Sequence, residues 1–238
     1  MQWVSNIWNT VVSSVFENHK TKLSTQMQKE TRTLQSHVNK HPFVTKLCKK
    51  QISKEAYHQY LVDLQAIYKA LEDGLKSCKH IPFVQEVNFE ELFRSKSLKE
   101  DLKHFKSSQI HPSQAAKDYA QHLNWLTIAD PMLLIGHAYV FYMNDLTRCL
   151  LVKGPVEGKW PKAIAYYDYQ AAYDAYPKAC NPQKLKKLFT DKLNKLSLKP
   201  QEKHALIAEA KMAYEYTEKM LDAIQPRDKK ESSSKSAE

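Results

Sequence analysis

The sequence predicts an all-α fold. Three observations carry that prediction. Apolar residues recur at i, i+3, i+4 and i+7 along most of the chain. Long-chain charged residues fill the positions between them. Only 4 glycines occur in 238 residues, too few for turn-rich β architectures. The length suits one domain with a full core, expected over residues 24–224, with a helix before it (1–23) and a polar tail after it (225–238).

The opening residues Trp3, Val4, Ile7, Trp8, Val11, Val12, Val15 and Phe16 fall on one helical stripe. The segment carries almost no charge. It is expected to dock on its own domain, on a protein partner or on a membrane surface. The next helix starts near Ser24 or Thr25, either of which suits its cap, and stops before Pro42. Ser53-Lys54-Glu55-Ala56 starts a long core helix through Tyr57, Tyr60, Leu61, Leu64, Ile67, Tyr68 and Leu71. Short helices are expected over Phe89–Arg94 and Leu98–Leu102, and Pro112-Ser113 opens another that ends before Asp130-Pro131.

Asp130 and Pro131 suit the cap and first turn of the following helix, which holds the run LLIGHAYVFYMNDL. Gly154, Pro155, Gly158 and Pro161 predict a loop after it. Tyr166, Tyr167, Tyr169, Tyr173 and Tyr176 predict a packed tyrosine face. Residues 182–195 read as a basic amphipathic helix, and Pro200 opens the last long one. The tail RDKKESSSKSAE has no apolar residue to bury in a core.

Charge and cysteines narrow the function classes. Lys and Arg number 36 against 26 Asp and Glu, a formal charge of +10. The lysines are spread along nearly every helix, with no compact basic tract interleaved with aromatics, so nucleic acid is not an expected partner. A basic rim for an anionic small molecule stays open. Cys48, Cys78, Cys149 and Cys180 are far apart and form no CxxC pair, which predicts free thiols in a reducing compartment. No apolar run reaches the ~20 residues that span a bilayer, and a basic-apolar secretory leader is lacking. The expectation is a soluble cytoplasmic chain.

The run His137-Ala138-Tyr139 through Tyr142 and Asp145-Leu146 places imidazole, phenol and carboxylate on a helix that is otherwise apolar. Buried polar groups need partners, so this helix lines a polar network or a ligand site. LLIGHAYVFYMNDL resembles the distal helix of the heme oxygenases, whose pattern is close to LL-x-x-HAY-x-RY-x-GDL-SGG. EELFRSKSLKEDL resembles that family's EEL-x-R-x-x-x-L-x-x-DL. Tyr68-Lys69-Ala70-Leu71-Glu72 is similar to its Y-x-ALE, and Ala208-Glu209-Ala210-Lys211 with Tyr214 to its EEAK-x-x-F. The similarity runs from about residue 24 to 224.

The resemblance implies heme as the bound group and Asp145, with Tyr139 and His137, as the catalytic set. It also implies where this chain departs. The ungapped match over LQSHVNKHPF puts Gln35 at the proximal iron-ligand position, where the family has histidine; an amide is a poor iron ligand. His37 lies two residues on, about 200° around the helix, and reaches the proximal place only with a two-residue deletion in the turn. His41 abuts Pro42. On the distal side the family's arginine is Phe141, its first glycine is Asn144, and its paired glycines are Arg148 and Cys149. Asn144 and Arg148, four apart, share one face. Arg148 is expected to pair with Asp145, to meet an anionic ligand, or to fill the space. Arg32 and Lys186 match basic positions that hold the heme carboxylates in the family, while Gln28 and Thr190 replace two others.

Departures on both faces predict a catalytically degenerate member acting by binding heme, another anionic molecule or a protein. The alternative is an active heme oxygenase that opens heme to biliverdin, carbon monoxide and iron on a non-standard axial ligand such as His37. A second alternative is a di-metal oxidase of related fold, for which Glu55-x-x-His58 and Asp101-x-x-His104 supply carboxylate–histidine pairs.

Overall fold

The computed structural model describes residues 21–105 and 110–224. Residues 1–20 and 225–238, and with them the expected first helix and polar tail, lie outside the described residues. The helices are α1 (Leu23–Lys40), α2 (Pro42–Cys48), α3 (Lys54–Ser77), α4 (Pro82–Val87), α5 (Ser95–Leu102), α6 (Gln114–Ala129), α7 (Leu134–Glu157), α8 (Gln170–Ala175), α9 (Pro182–Leu193) and α10 (Pro200–Ala223). Short 3-10 turns at Glu90–Leu92, Pro131–Leu133, Ala165–Tyr167 and Pro177–Ala179 join them. No strand occurs among the described residues, and no helix there is long and apolar enough to cross a membrane.

Helix α7 is the centre. Every residue from Leu134 to Leu146 is buried, as suits a helix apolar on all sides. It packs against α10, α9, α2, α3 and α6, while α3 pairs with α6 and α10 with α1. Gly136 sets the α7–α10 distance: a Cβ there would meet the Leu206 carbonyl oxygen at 2.9 Å and the Ala210 nitrogen at 3.2 Å.

Helix starts follow the expected chemistry at Ser53 and Ser113, whose hydroxyls accept from the nitrogens of Ala56 and Ala116. Two expected caps are corrected. Neither Ser24 nor Thr25 caps α1, which starts at Leu23; Asn194, at the end of α9, accepts from the Ser24 nitrogen at 3.0 Å. The Asp130 side chain makes no capping bond, and Pro131 opens a 3-10 turn before α7. The loop expected at Gly154 and Pro155 is also corrected, because α7 continues to Glu157. Proline costs one hydrogen bond so near the end, and buried Val152 and Val156 hold the last turn in place.

The resembling motifs become buried clamps. Glu72 accepts from the backbone nitrogens of Arg94 and Ser95 and from the Ser95 hydroxyl, capping α5 from a neighbouring helix. Arg94 is buried and donates to the carbonyls of Glu91, Leu92 and Asp168 while lying over the Tyr169 ring. Asp101, fully buried, accepts from the nitrogens of Ala165 and Tyr166 at 2.8 and 2.9 Å. This fixes the tyrosine-rich turn against α7.

Candidate functional site

The middle of α7 faces α1, α3 and α10 through polar side chains. Asn144 is buried on α7, and its Oδ1 accepts a hydrogen bond from Gln35 Nε2 of α1 at 3.1 Å. The Tyr214 hydroxyl of α10 lies 3.4 Å from the same oxygen. One amide therefore ties three helices. A planar macrocycle between Gln35 and Asn144 needs about 3.5 Å of contact distance on each face, roughly 7 Å in all. With the side chains so placed, the 3.1 Å bond leaves no such gap between Gln35 and Asn144.

One turn on, Arg148 is buried to 7% exposure. Burial works against its charge, yet the Tyr60 hydroxyl and the Asp145 carboxylate nearby hold its pKa above the ordinary value. Its Nε and Nη2 have no hydrogen-bond partner among the described residues. Asp145 Oδ1 accepts from the Tyr166 hydroxyl at 2.7 Å, while Oδ2 has no partner there. Burial pushes the Asp145 carboxyl up to about 7, against the pull of Arg148 and Tyr166. The two charged groups form no ion pair within 4 Å, so of the expectations for Arg148 the direct pairing with Asp145 is not realised.

The other expected site residues divide. Phe141 packs on Tyr68 and Tyr119 in the apolar core. Lys186 is half-buried, donates to the Thr147 hydroxyl of α7 and is lowered in pKa by burial. Arg32 is exposed on α1. His37 is exposed on α1 as well, so its assignment as an iron ligand is corrected: it points to solvent, on the far side of the helix from Gln35. His41 is no substitute, since its Nε2 engages Asp222 at 3.1 Å and its Nδ1 accepts from the Phe43 nitrogen at 3.2 Å.

His137, in the implied catalytic set, stands apart from Asp145. It lies two turns before Asn144, about 10 Å along the axis. There it is fully buried, with Nδ1 2.9 Å from the Tyr119 hydroxyl and Nε2 2.9 Å from Glu209 Oε2. Burial lowers its pKa against the opposing effect of Glu209. Tyr139 is buried near Tyr214, and burial raises its pKa.

The di-metal set is not assembled. Glu55 is exposed in the first turn of α3, His58 stacks on Phe105, Asp101 is spent on the turn at Ala165–Tyr166, and His104 is exposed. The tyrosine face is buried at Tyr166, Tyr167 and Tyr169, but the hydroxyls of Tyr167 and Tyr169 lack partners among the described residues.

Sequence reasoning missed Tyr60 and the hydroxyl of Tyr214. The signal for Tyr214 was present, because the resembling motif carries phenylalanine where this chain adds an oxygen. It missed Tyr119, His122 and Glu209 as partners of His137, for which helical spacing gives no signal.

A family model described as heme oxygenase matches residues 21–223. The chain is 27% identical over 209 residues to heme oxygenase 1 of Rattus norvegicus, covering 85% of this chain and 71% of that protein. It is 24% identical over 214 residues to the heme oxygenase of Rhodella violacea, covering 87% and 88%. The crystal structure of heme oxygenase-1 from the cyanobacterium Synechocystis in complex with heme superposes with a TM-score of 0.78 at 22% identity, over 86% of this chain and 93% of that one.

Proposed function

This chain belongs to the heme oxygenase family, and from that membership we propose that it is a member that has lost heme cleavage and works by binding. The observation that carries the reading is the 3.1 Å bond between Gln35 and Asn144. By the sequence resemblance, Gln35 stands where the family has its iron ligand and Asn144 where it has a distal glycine. Gln35 offers no imidazole, and neither His37 nor His41 is placed to supply one. Arg148 adds bulk and charge where the family pattern has glycine. Its two unpartnered donors make a small anion, such as a carboxylate, the ligand chemistry that suits the altered site.

Turnover tests this reading. The parent and Gln35→His are each incubated with heme and a reductant, and biliverdin is read by absorbance. We expect no product from either, because Asn144 and Arg148 still occupy the distal side. Recovery of turnover by Gln35→His alone contradicts the loss of the distal site, and turnover by the parent contradicts the whole reading. For the anion, a rise in melting temperature on adding small carboxylates is expected in the parent and not in Arg148→Met.

A further inference from the structure

Helices α6, α7 and α10 bring His122, His137 and Glu209 together at a second place, two turns along α7 from Asn144. The ligand atoms of these side chains all lie within 4.8 Å of one another. Glu209 Oε2 is 3.0 Å from His122 Nε2 and 2.9 Å from His137 Nε2. We propose that His122, His137 and Glu209 bind one divalent transition-metal ion of the zinc class, through these three atoms, with a fourth position open to water.

The donor chemistry fits. Imidazole nitrogen and carboxylate oxygen are zinc ligands at about 2.0–2.2 Å, and two histidines with one carboxylate leave an open position. Tetrahedral ligands at those lengths stand about 3.3–3.5 Å apart. To admit an ion, Glu209 Oε2 has to draw back from each histidine by a few tenths of an ångström, and the histidine nitrogens, within 4.8 Å of each other, have to settle at the same spacing. His137 is already oriented as a ligand: its Nδ1 lies 2.9 Å from the Tyr119 hydroxyl, whose oxygen can accept the Nδ1 proton and leave Nε2 free.

The frame around the three is stiff. Tyr119 stacks on Tyr216 at 4.6 Å, and Tyr216 stands 5.2 Å from His122. Gly136, next to His137, lets α7 approach the backbone of α10 at Leu206 and Ala210, on either side of Glu209. The way in is from the surface: the His122 and Glu209 side chains keep 13% and 11% exposure, while His137 keeps none. Two hydrogen bonds to one carboxylate would also account for the distances without any ion, and metal titration separates the two.

The full chain, stripped with a chelator, is titrated with Co²⁺ alone and with Zn²⁺ alone. We expect one equivalent of Co²⁺ to bind with visible d–d absorption and to be displaced by Zn²⁺. His122→Ala removes a half-buried ligand, and its fold is checked by circular dichroism. Its affinity should fall at least tenfold, as should that of Glu209→Gln. His80→Ala, at an exposed histidine on another part of the surface, should bind as the parent does. If Glu209→Gln does not fold, His122→Ala decides. Failure of the parent to bind either ion below millimolar concentration overturns the proposal, as does equal affinity in the parent and the folded His122→Ala.

Discussion

Asp145 is a carboxylate with one partnered oxygen, enclosed on all sides. Burial raises its pKa from 3.8 to about 7. The folded chain therefore keeps a proton between about pH 4 and pH 7 that the unfolded chain releases. The stability this confers is full below pH 3.8 and is lost as pH rises to about 7. Asp145→Asn keeps an acceptor for Tyr166 and carries no charge. It should be more stable than the parent at pH 8, by about 4 kcal/mol, and the gain should vanish near pH 4. Chemical denaturation at the two pH values checks this, and an equal effect at both would show that the carboxyl is not titrating. Residues such as Ser53 and Ser113 were legible because a cap acts on nitrogens two or three residues away. The partners of Gln35, His137 and Tyr214 lie on other helices, and periodicity names a face without naming what it meets.

At the scale of elements, the motifs that resemble the heme oxygenases are largely joints. Glu72 receives donors from Arg94 and Ser95 at the start of α5. Glu72→Ala leaves buried nitrogens unpaired and should cost about 2–4 kcal/mol in urea unfolding; a cost under about 0.5 kcal/mol would mean that water replaces the carboxylate. Two glycines of α7 make opposite predictions. Gly136→Ala drives a methyl into the α10 backbone and should destabilise by about 1–3 kcal/mol. Gly154→Ala meets nothing within 4 Å and should stabilise by about 0.5–1 kcal/mol. Thermal unfolding of the pair reads both signs. The scarcity of glycine was visible in the sequence, and the continuation of α7 through Pro155 was not. Whether a helix survives its last proline depends on Val152 and Val156 finding a core.

Over the whole molecule, the all-α fold was legible because apolar spacing and spaced motifs recur along the chain in a consistent order. The candidate site was legible as a set of departures, Gln35, Asn144 and Arg148, but not as a bridge. That Gln35 and Asn144 meet depends on how α1, α7 and α10 pack, which no local pattern encodes. The site and the His122–His137–Glu209 cluster share α7 and α10 yet lie two turns apart, so heme binding and metal binding are separable. The decisive measurement is a heme titration of the purified parent beside Gln35→His/Asn144→Gly/Arg148→Gly, followed in the Soret region. We expect the parent to give no saturable shifted band, and the triple variant to gain one with low-micromolar affinity, about 8 kcal/mol of binding. A sharp one-to-one Soret band in the parent would contradict the bridge between Gln35 and Asn144 as a barrier to heme.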